Sequence, residues 1–224
     1  MTTEISPRER LAAQLAEAVA GALSADLEQQ PRALLVVSGG STPVTFFARL
    51  AAMALPWERI DVTLADERWV GEDNADSNAR LVREQLLVGP AAAATFHSLT
   101  SGEATPEQGA ATVAERITAL PWPASVVILG MGGDGHTASL FPDSGELGLA
   151  LTTDEAVVAV RAPSVAQPRI TLSAAYLHRA RRHVLHIVGD NKRSVLAQAL
   201  AGDDARELPI RAFLACPLAV YWAP

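Results

Sequence analysis

Val127-Ile128-Leu129-Gly130-Met131-Gly132-Gly133-Asp134-Gly135-His136-Thr137-Ala138-Ser139-Leu140-Phe141-Pro142 is the stretch on which the reading of this chain turns. An apolar run predicts a buried strand, and it passes straight into four glycines that present one aspartate and one histidine. Glycine suits such a segment because the backbone can adopt conformations, or approach a ligand, in ways that a Cβ obstructs. An acid and an imidazole two residues apart on that turn predict proton transfer at the C-terminal end of a strand. A plain structural turn accounts for Asp-Gly-His taken alone, because Asp accepts local backbone hydrogen bonds and Gly takes positive φ.

A second pattern overlaps the first. Gly130-x-Gly132-x-x-Gly135 fits a dinucleotide fingerprint, with Asp154 and Glu155 about 20 residues on. That fingerprint needs a long helix whose N-terminus receives the pyrophosphate. Pro142 comes after barely one turn, and Asp134 puts negative charge where the phosphates belong. A nicotinamide site is therefore discounted, and no cofactor is expected.

Outward from this segment, strands and helices alternate. Leu11, Leu15, Val19, Leu23 and Leu27 form a helix stripe. Strands are predicted over Ala33 to Val37, Ile60 to Ala65, Ser125 to Leu129, Val157 to Val160, Ile170 to Leu172, Val184 to Val188 and Leu218 to Trp222. Helices are predicted over Asn78 to Leu87 (capped by Ser77), Glu107 to Leu120 (begun by Thr105-Pro106) and Asn191 to Leu200. Another helix follows Pro43, with Ser41 or Thr42 as its cap. The alternation implies an α/β fold, a Rossmann-like, mostly parallel sheet with helices on both faces, in one domain over 1–224. Pro163 to Pro168 reads as a loop long enough to act as a flap.

Composition narrows the function. The 224 residues carry 18 basic and 25 acidic side chains, a net charge of −7, which argues against nucleic acid or a membrane surface as the main partner. A single cysteine, Cys216, excludes an internal disulfide and predicts no thiolate metal site. His-Glu-x-x-His spacing is absent, so no metal is expected. No apolar run reaches transmembrane length and the N-terminus shows no targeting pattern, so a cytoplasmic protein is expected, as a monomer or weak homo-oligomer.

Four groups fall at or just beyond predicted strand ends, where open parallel sheets bind ligands. Ser38-Gly39-Gly40-Ser41-Thr42 offers backbone N–H groups and hydroxyls to an anion, although a capped turn would look much the same. Arg68, in Asp66-Glu67-Arg68, can bind a phosphate in bidentate fashion with its acidic neighbours holding it, unless the triplet is a solvated ion cluster. Asp134-Gly135-His136 is the third group. Lys192, at the start of a helix, is the fourth, and Arg169 is a further cation before a strand. The remaining histidines look unpersuasive: His97 on a short strand, His178 near a helix end, and His183 and His186 on opposite sides of one strand.

Taken together, these blocks resemble the glucosamine-6-phosphate isomerase/6-phosphogluconolactonase family. The matching segments are Ser38 to Pro43, Asp66 to Val70, Ser77 to Arg80, Leu129 to Pro142, Arg169 to Ser173 and Gly189 to Lys192, in order along nearly the whole chain. On the lactonase side, the resemblance implies hydrolysis of 6-phospho-D-glucono-1,5-lactone to 6-phosphogluconate in the oxidative pentose phosphate pathway. The deaminases of the same fold are the rival. They typically carry Asn-Glu-Pro and a tyrosine where this chain has Leu140-Phe141-Pro142 and Arg68, and a phenylalanine cannot relay protons.

The resemblance implies His136 as general base toward water, with Asp134 either orienting the ring or holding the water. No Gly-x-Ser-x-Gly elbow suggests an acyl-enzyme. Gly39, Gly40, Ser41, Thr42, Asp66, Arg68, Gly135, Arg169 and Lys192 are the expected substrate-binding set, around a sugar-phosphate lactone as the small-molecule partner.

Overall fold

The computed structural model describes residues 6–224. In chain order the elements are α1 (Pro7–Leu27), β1 (Ala33–Val37), α2 (Val44–Ala51), β2 (Ile60–Leu64), β3 (Asp66–Arg68), α3 (Asn78–Gln85), β4 (Thr95–His97), α4 (Pro106–Thr118), β5 (Val126–Leu129), α5 (Leu147–Thr152), β6 (Val157–Val160), β7 (Arg169–Leu172), α6 (Ala174–His178), β8 (His183–Val188), α7 (Asp190–Leu200), α8 (Arg211–Leu214) and β9 (Leu218–Ala223). Among these residues no helix is long and apolar enough to cross a membrane. The reading of the amino terminus falls partly on residues 1–5, outside the described residues.

Ser6 and Glu9 close a reciprocal capping box at the start of α1, and Pro7 occupies the first turn, where its missing N–H costs nothing. The helix stripe is borne out, with Leu15, Val19, Leu23 and Leu27 buried. α1 packs on α2 and on β1, β5 and β9.

Six strands form a wholly parallel sheet in the order β4-β2-β1-β5-β8-β9. β1, β2 and β5 are buried along their full length; β1 and β5 accordingly read as unbroken apolar runs, whereas β2 carries the buried polar residues Asp61 and Thr63. From β1 the chain first builds outward through β2 and β4, then crosses to the other side for β5, β8 and β9. The reversal puts the crevice between the C-terminal ends of β1 and β5, where Ser38–Thr42 and Gly130–His136 emerge.

Three expectations are corrected. Asp66-Glu67-Arg68 does not trail off the end of β2 but forms a strand of its own. With the segments expected to join the main sheet, Val157–Val160 and Ile170–Leu172 (the latter beginning one residue earlier, at Arg169), it makes a separate antiparallel sheet in the order β3-β7-β6. Ala65 is the pivot: its N–H donates to Val37 O at 2.8 Å in the parallel sheet, and its carbonyl accepts from Leu172 N at 2.9 Å in the antiparallel one. Short buried strands look alike in sequence whichever sheet they enter, because the partner is remote.

Ser41 and Thr42 do not cap α2. Pro43 occupies the cap position in an αR conformation, with no side-chain hydrogen bond. The Pro163–Pro168 loop is tethered: Ser164 N and Oγ donate to Asp143 at 2.8 and 3.0 Å, and Gln167 Nε2 donates to Asp76 at 2.6 Å.

Candidate active site

A cavity of about 430 Å³ lies at the switch point. Of the expected residues, Gly39, Gly40, Ser41, Thr42, Asp66, Arg68, His136, Arg169 and Lys192 line it. Asp134 and Gly135 are outside that lining. Ser38 Oγ donates to Ile128 O at 2.9 Å, tying the loop after β1 to the edge of β5.

The glycine turn exists to bring Asp134 and His136 together. His136 Nδ1 lies 2.6 Å from Asp134 Oδ1, and the His136 backbone N–H donates to the same oxygen at 3.2 Å. A Cβ on Gly132 would collide with His136 Nδ1 and Asp134 Oδ1, so only glycine leaves room for the pair. Gly135 has φ of 76°, and a Cβ there would strike Leu208. Its carbonyl accepts from Ile210 N at 2.9 Å, so Gly135 ties the turn to the segment before α8 rather than facing the cleft.

The hydrogen bond from His136 holds the Asp134 carboxyl below its usual range, so it is an acceptor at neutral pH. An ionised carboxylate on Nδ1 fixes the tautomer: the proton sits on Nδ1 and Nε2 carries the lone pair. The His136 ring packs on Phe141 at a centroid distance of 4.6 Å. The Arg169 guanidinium lies 5.7 Å from the same ring's centroid. Phe141, itself buried, thus packs against both the imidazole and the cation.

Another part of the lining is cationic. Arg68 and Arg169 face each other across β3 and β7. Burial disfavours the charged form of Arg169, the Asp66 carboxylate opposes that effect, and Arg68 adds to it. Arg68 Nη1 donates to Asp76 O at 2.5 Å, but the buried Nε of each guanidinium has no hydrogen-bond partner. Lys192 enters on α7, launched from Gly189 at φ of 98°. Burial lowers the proton affinity of its amine, against the pull of the nearby Asp134 charge.

Alternation along β3 separates the two acids of the triplet. Asp66 faces the cleft and accepts from Ser139 Oγ at 2.6 Å. Glu67, fully buried, accepts from Arg68 N, Asn78 N and Ala79 N at 2.7, 2.7 and 2.6 Å and from Ser77 Oγ at 3.1 Å. It therefore anchors the N-terminus of α3, while burial raises its pKa against those bonds. Asn78 in turn donates to Asp66 O at 2.9 Å and presses on Gly39, where a Cβ would collide with its amide.

Sequence reasoning missed several lining residues. Asn78, Thr137, Phe141 and His186 all border the cavity. His186 is nearly buried, edge-on to Phe46 at 6.0 Å, with a buried Nδ1 that has no partner. Burial drops its pKa to about 4, so the ring is neutral. Period-two alternation on β3 was the available signal for Asp66 and Arg68 sharing a face; nothing local marks His186.

The family model described as glucosamine-6-phosphate isomerases/6-phosphogluconolactonase matches residues 6–222. The chain belongs to this family. The 6-phosphogluconolactonase of Pseudomonas aeruginosa is 48% identical over 212 residues, covering 94% of this chain and 89% of the relative. That of Rhizobium meliloti is 46% identical, covering 96% and 94%. A 6-phosphogluconolactonase structure from Shewanella baltica superposes with a TM-score of 0.96 at 44% identity, over 97% of this chain and 94% of that one. A monomeric glucosamine-6-phosphate deaminase shares the fold at 17% identity, with a TM-score of 0.79 over 98% and 95%. The fold is thus shared by a lactonase and a deaminase, so it is the side chains rather than the fold that must distinguish the reactions.

Proposed function

We propose that this chain hydrolyses 6-phospho-D-glucono-1,5-lactone to 6-phospho-D-gluconate, the lactonase step of the oxidative pentose phosphate pathway. The similarity to lactonases over nearly the full chain supports the reaction. The observation that carries the mechanism is the Asp134–His136 pair set at the edge of a cleft that also holds Arg68 and Arg169.

His136 Nε2 takes a proton from water as the water oxygen bonds to the lactone carbonyl carbon. The imidazolium so formed is stabilised by the Asp134 carboxylate on Nδ1, which lies outside the cleft lining and so orients the ring rather than holding water. Collapse of the tetrahedral intermediate breaks the bond to the ring oxygen, which receives the proton back from Nε2. The product is a carboxylic acid that ionises and releases a proton.

Arg68 and Arg169, side by side on adjacent strands, suit the two charges of a phosphate, with the Gly39–Thr42 loop supplying further donors. Lys192, which lines the same cavity as His136, supplies a cation that can stabilise the developing oxyanion. His186 offers a neutral ring to a substrate hydroxyl. Phe141 occupies the place that a proton-relaying glutamate takes in the deaminase pattern, and its burial against His136 and Arg169 leaves no titratable group there.

Proton release on adding freshly made 6-phosphoglucono-δ-lactone, above the spontaneous rate, tests the reading. Ammonia release from glucosamine 6-phosphate, with no excess acid from the lactone, would overturn it.

A further inference from the structure

At the far end of the parallel sheet from the cleft, three side chains with soft or borderline metal-ligand chemistry converge. His178 ends α6, His183 opens β8, and Cys216 lies just before β9. One ligand atom from each lies within 4.8 Å of the others, and His178 Nδ1 is 3.9 Å from Cys216 Sγ. We infer that His178, His183 and Cys216 form a binding site for a thiophilic divalent cation, zinc by preference, with water in the fourth position.

The donor set fits that ion. Two imidazoles and one thiolate are borderline-soft ligands, and zinc accepts three protein ligands plus water in tetrahedral geometry. Ligand atoms around one zinc stand roughly 3.3–3.7 Å apart, given Zn–N near 2.0–2.1 Å and Zn–S near 2.3 Å. The His178–Cys216 distance is close to this, and the widest separation has to contract by about 1 Å.

The surroundings fix the ligands in advance. His183 is buried and holds the Leu177 carbonyl through Nε2 at 3.0 Å, the type of backbone anchor that orients metal-binding histidines. The His178 ring stacks on Phe213 at 4.7 Å, and Cys216 Sγ donates to Phe213 O at 2.9 Å. The nearby cations are engaged elsewhere: Arg181 and Arg182 with Asp26 at 3.1 and 3.9 Å, and Arg179 over the Tyr176 ring at 4.9 Å. His178 is exposed and Cys216 half-buried, so an ion can enter from solvent.

Binding would displace the Cys216 thiol proton and pin the end of α6, the start of β8 and the lead into β9 together. It stabilises the fold without touching the cleft.

The test titrates the full-length protein with Co²⁺ as a spectroscopic stand-in, and with Zn²⁺ while following thermal unfolding. The expected result is a thiolate-to-Co²⁺ charge-transfer band. At zinc about a hundredfold above Kd, Tm should rise by roughly 5–10 °C. Cys216→Ser and His178→Ala should abolish both while leaving metal-free Tm and lactone turnover near wild type. Absence of the thiolate band in the wild type would overturn the inference. So would a metal response that survives both substitutions but disappears in His136→Ala, since the ion would then lie in the cleft.

Discussion

Arg68 and Arg169 stand directly opposite each other in the antiparallel register of β3 and β7. Like charges so placed repel, and here one of them is also nearly buried. Asp66 and Glu67 offset part of that cost, but the buried Nε of each arginine stays unpaired. Two guanidinium groups so placed suit an anionic ligand, which offsets their mutual repulsion and accepts their free N–H groups. Arg169→Met should raise KM by about tenfold or more with a much smaller change in kcat, and should leave Tm of the free protein unchanged or higher. Lys192→Met should do the reverse and lower kcat more than it raises KM. Steady-state kinetics on both variants separate phosphate binding from oxyanion stabilisation; swapped phenotypes would reverse the assignment.

His136→Ala should cut kcat by roughly 10²–10⁴-fold with KM little changed. Asp134→Asn keeps the shape but removes the charge that selects the Nδ1–H tautomer, so it should also fall steeply in kcat. A proton-release assay corrected for spontaneous hydrolysis measures both. Near-normal turnover in Asp134→Asn would mean that the carboxylate does not set the ring.

Gly132→Ala tests whether the proposed catalytic pair depends on a missing Cβ. The added methyl collides with both His136 Nδ1 and Asp134 Oδ1, so the pair has to separate. kcat should drop by about tenfold or more, given the sensitivity of catalysis to misplacement of about 1 Å. The far-UV circular dichroism spectrum should be unchanged.

Glu67→Gln replaces a buried acceptor of four hydrogen bonds with an amide that brings N–H groups against backbone N–H donors. A loss of about 2–4 kcal/mol is expected, a fall in Tm of roughly 5–15 °C. An unaltered Tm would rule out this role for the carboxylate.

His186 predicts a pH dependence. Its pKa falls from 6.5 in the unfolded chain to about 4 in the fold. Between those values the unfolded state binds the extra proton, so stability is complete above about pH 6.5 and declines as pH falls toward 4. The loss reaches about 3 kcal/mol. Thermal melts from pH 4 to 7 should therefore show a shallower acid limb for His186→Phe than for wild type, and parallel curves would contradict the buried neutral ring.

Much of this molecule is written in local pattern. β1 spans the run predicted for it, and the α1 stripe, the Ser77 cap of α3 and the Thr105-Pro106 start of α4 also match, because each depends on periodicity and capping chemistry within a few residues. The Asp134–His136 pair was legible for the same reason: two residues apart on a glycine turn, they have few ways to arrange themselves.

What tertiary structure alone decided is long-range pairing. Asp66–Arg68 read as a strand's frayed end, and only the register with Arg169–Leu172 makes it a strand and places two arginines side by side. Glu67 was read as a partner of Arg68 or part of a solvated ion cluster, yet its carboxylate caps the α3 N-terminus instead. His186, dismissed as one histidine among several, lines the cleft from β8, which lies beside β5 on the side away from β1 and its Ser38–Thr42 loop. Local sequence sets backbone preference and burial period through steric and hydrophobic terms acting over a turn or two. Which strands meet, and so which distant charges must share a site, is fixed only when the whole core closes at once.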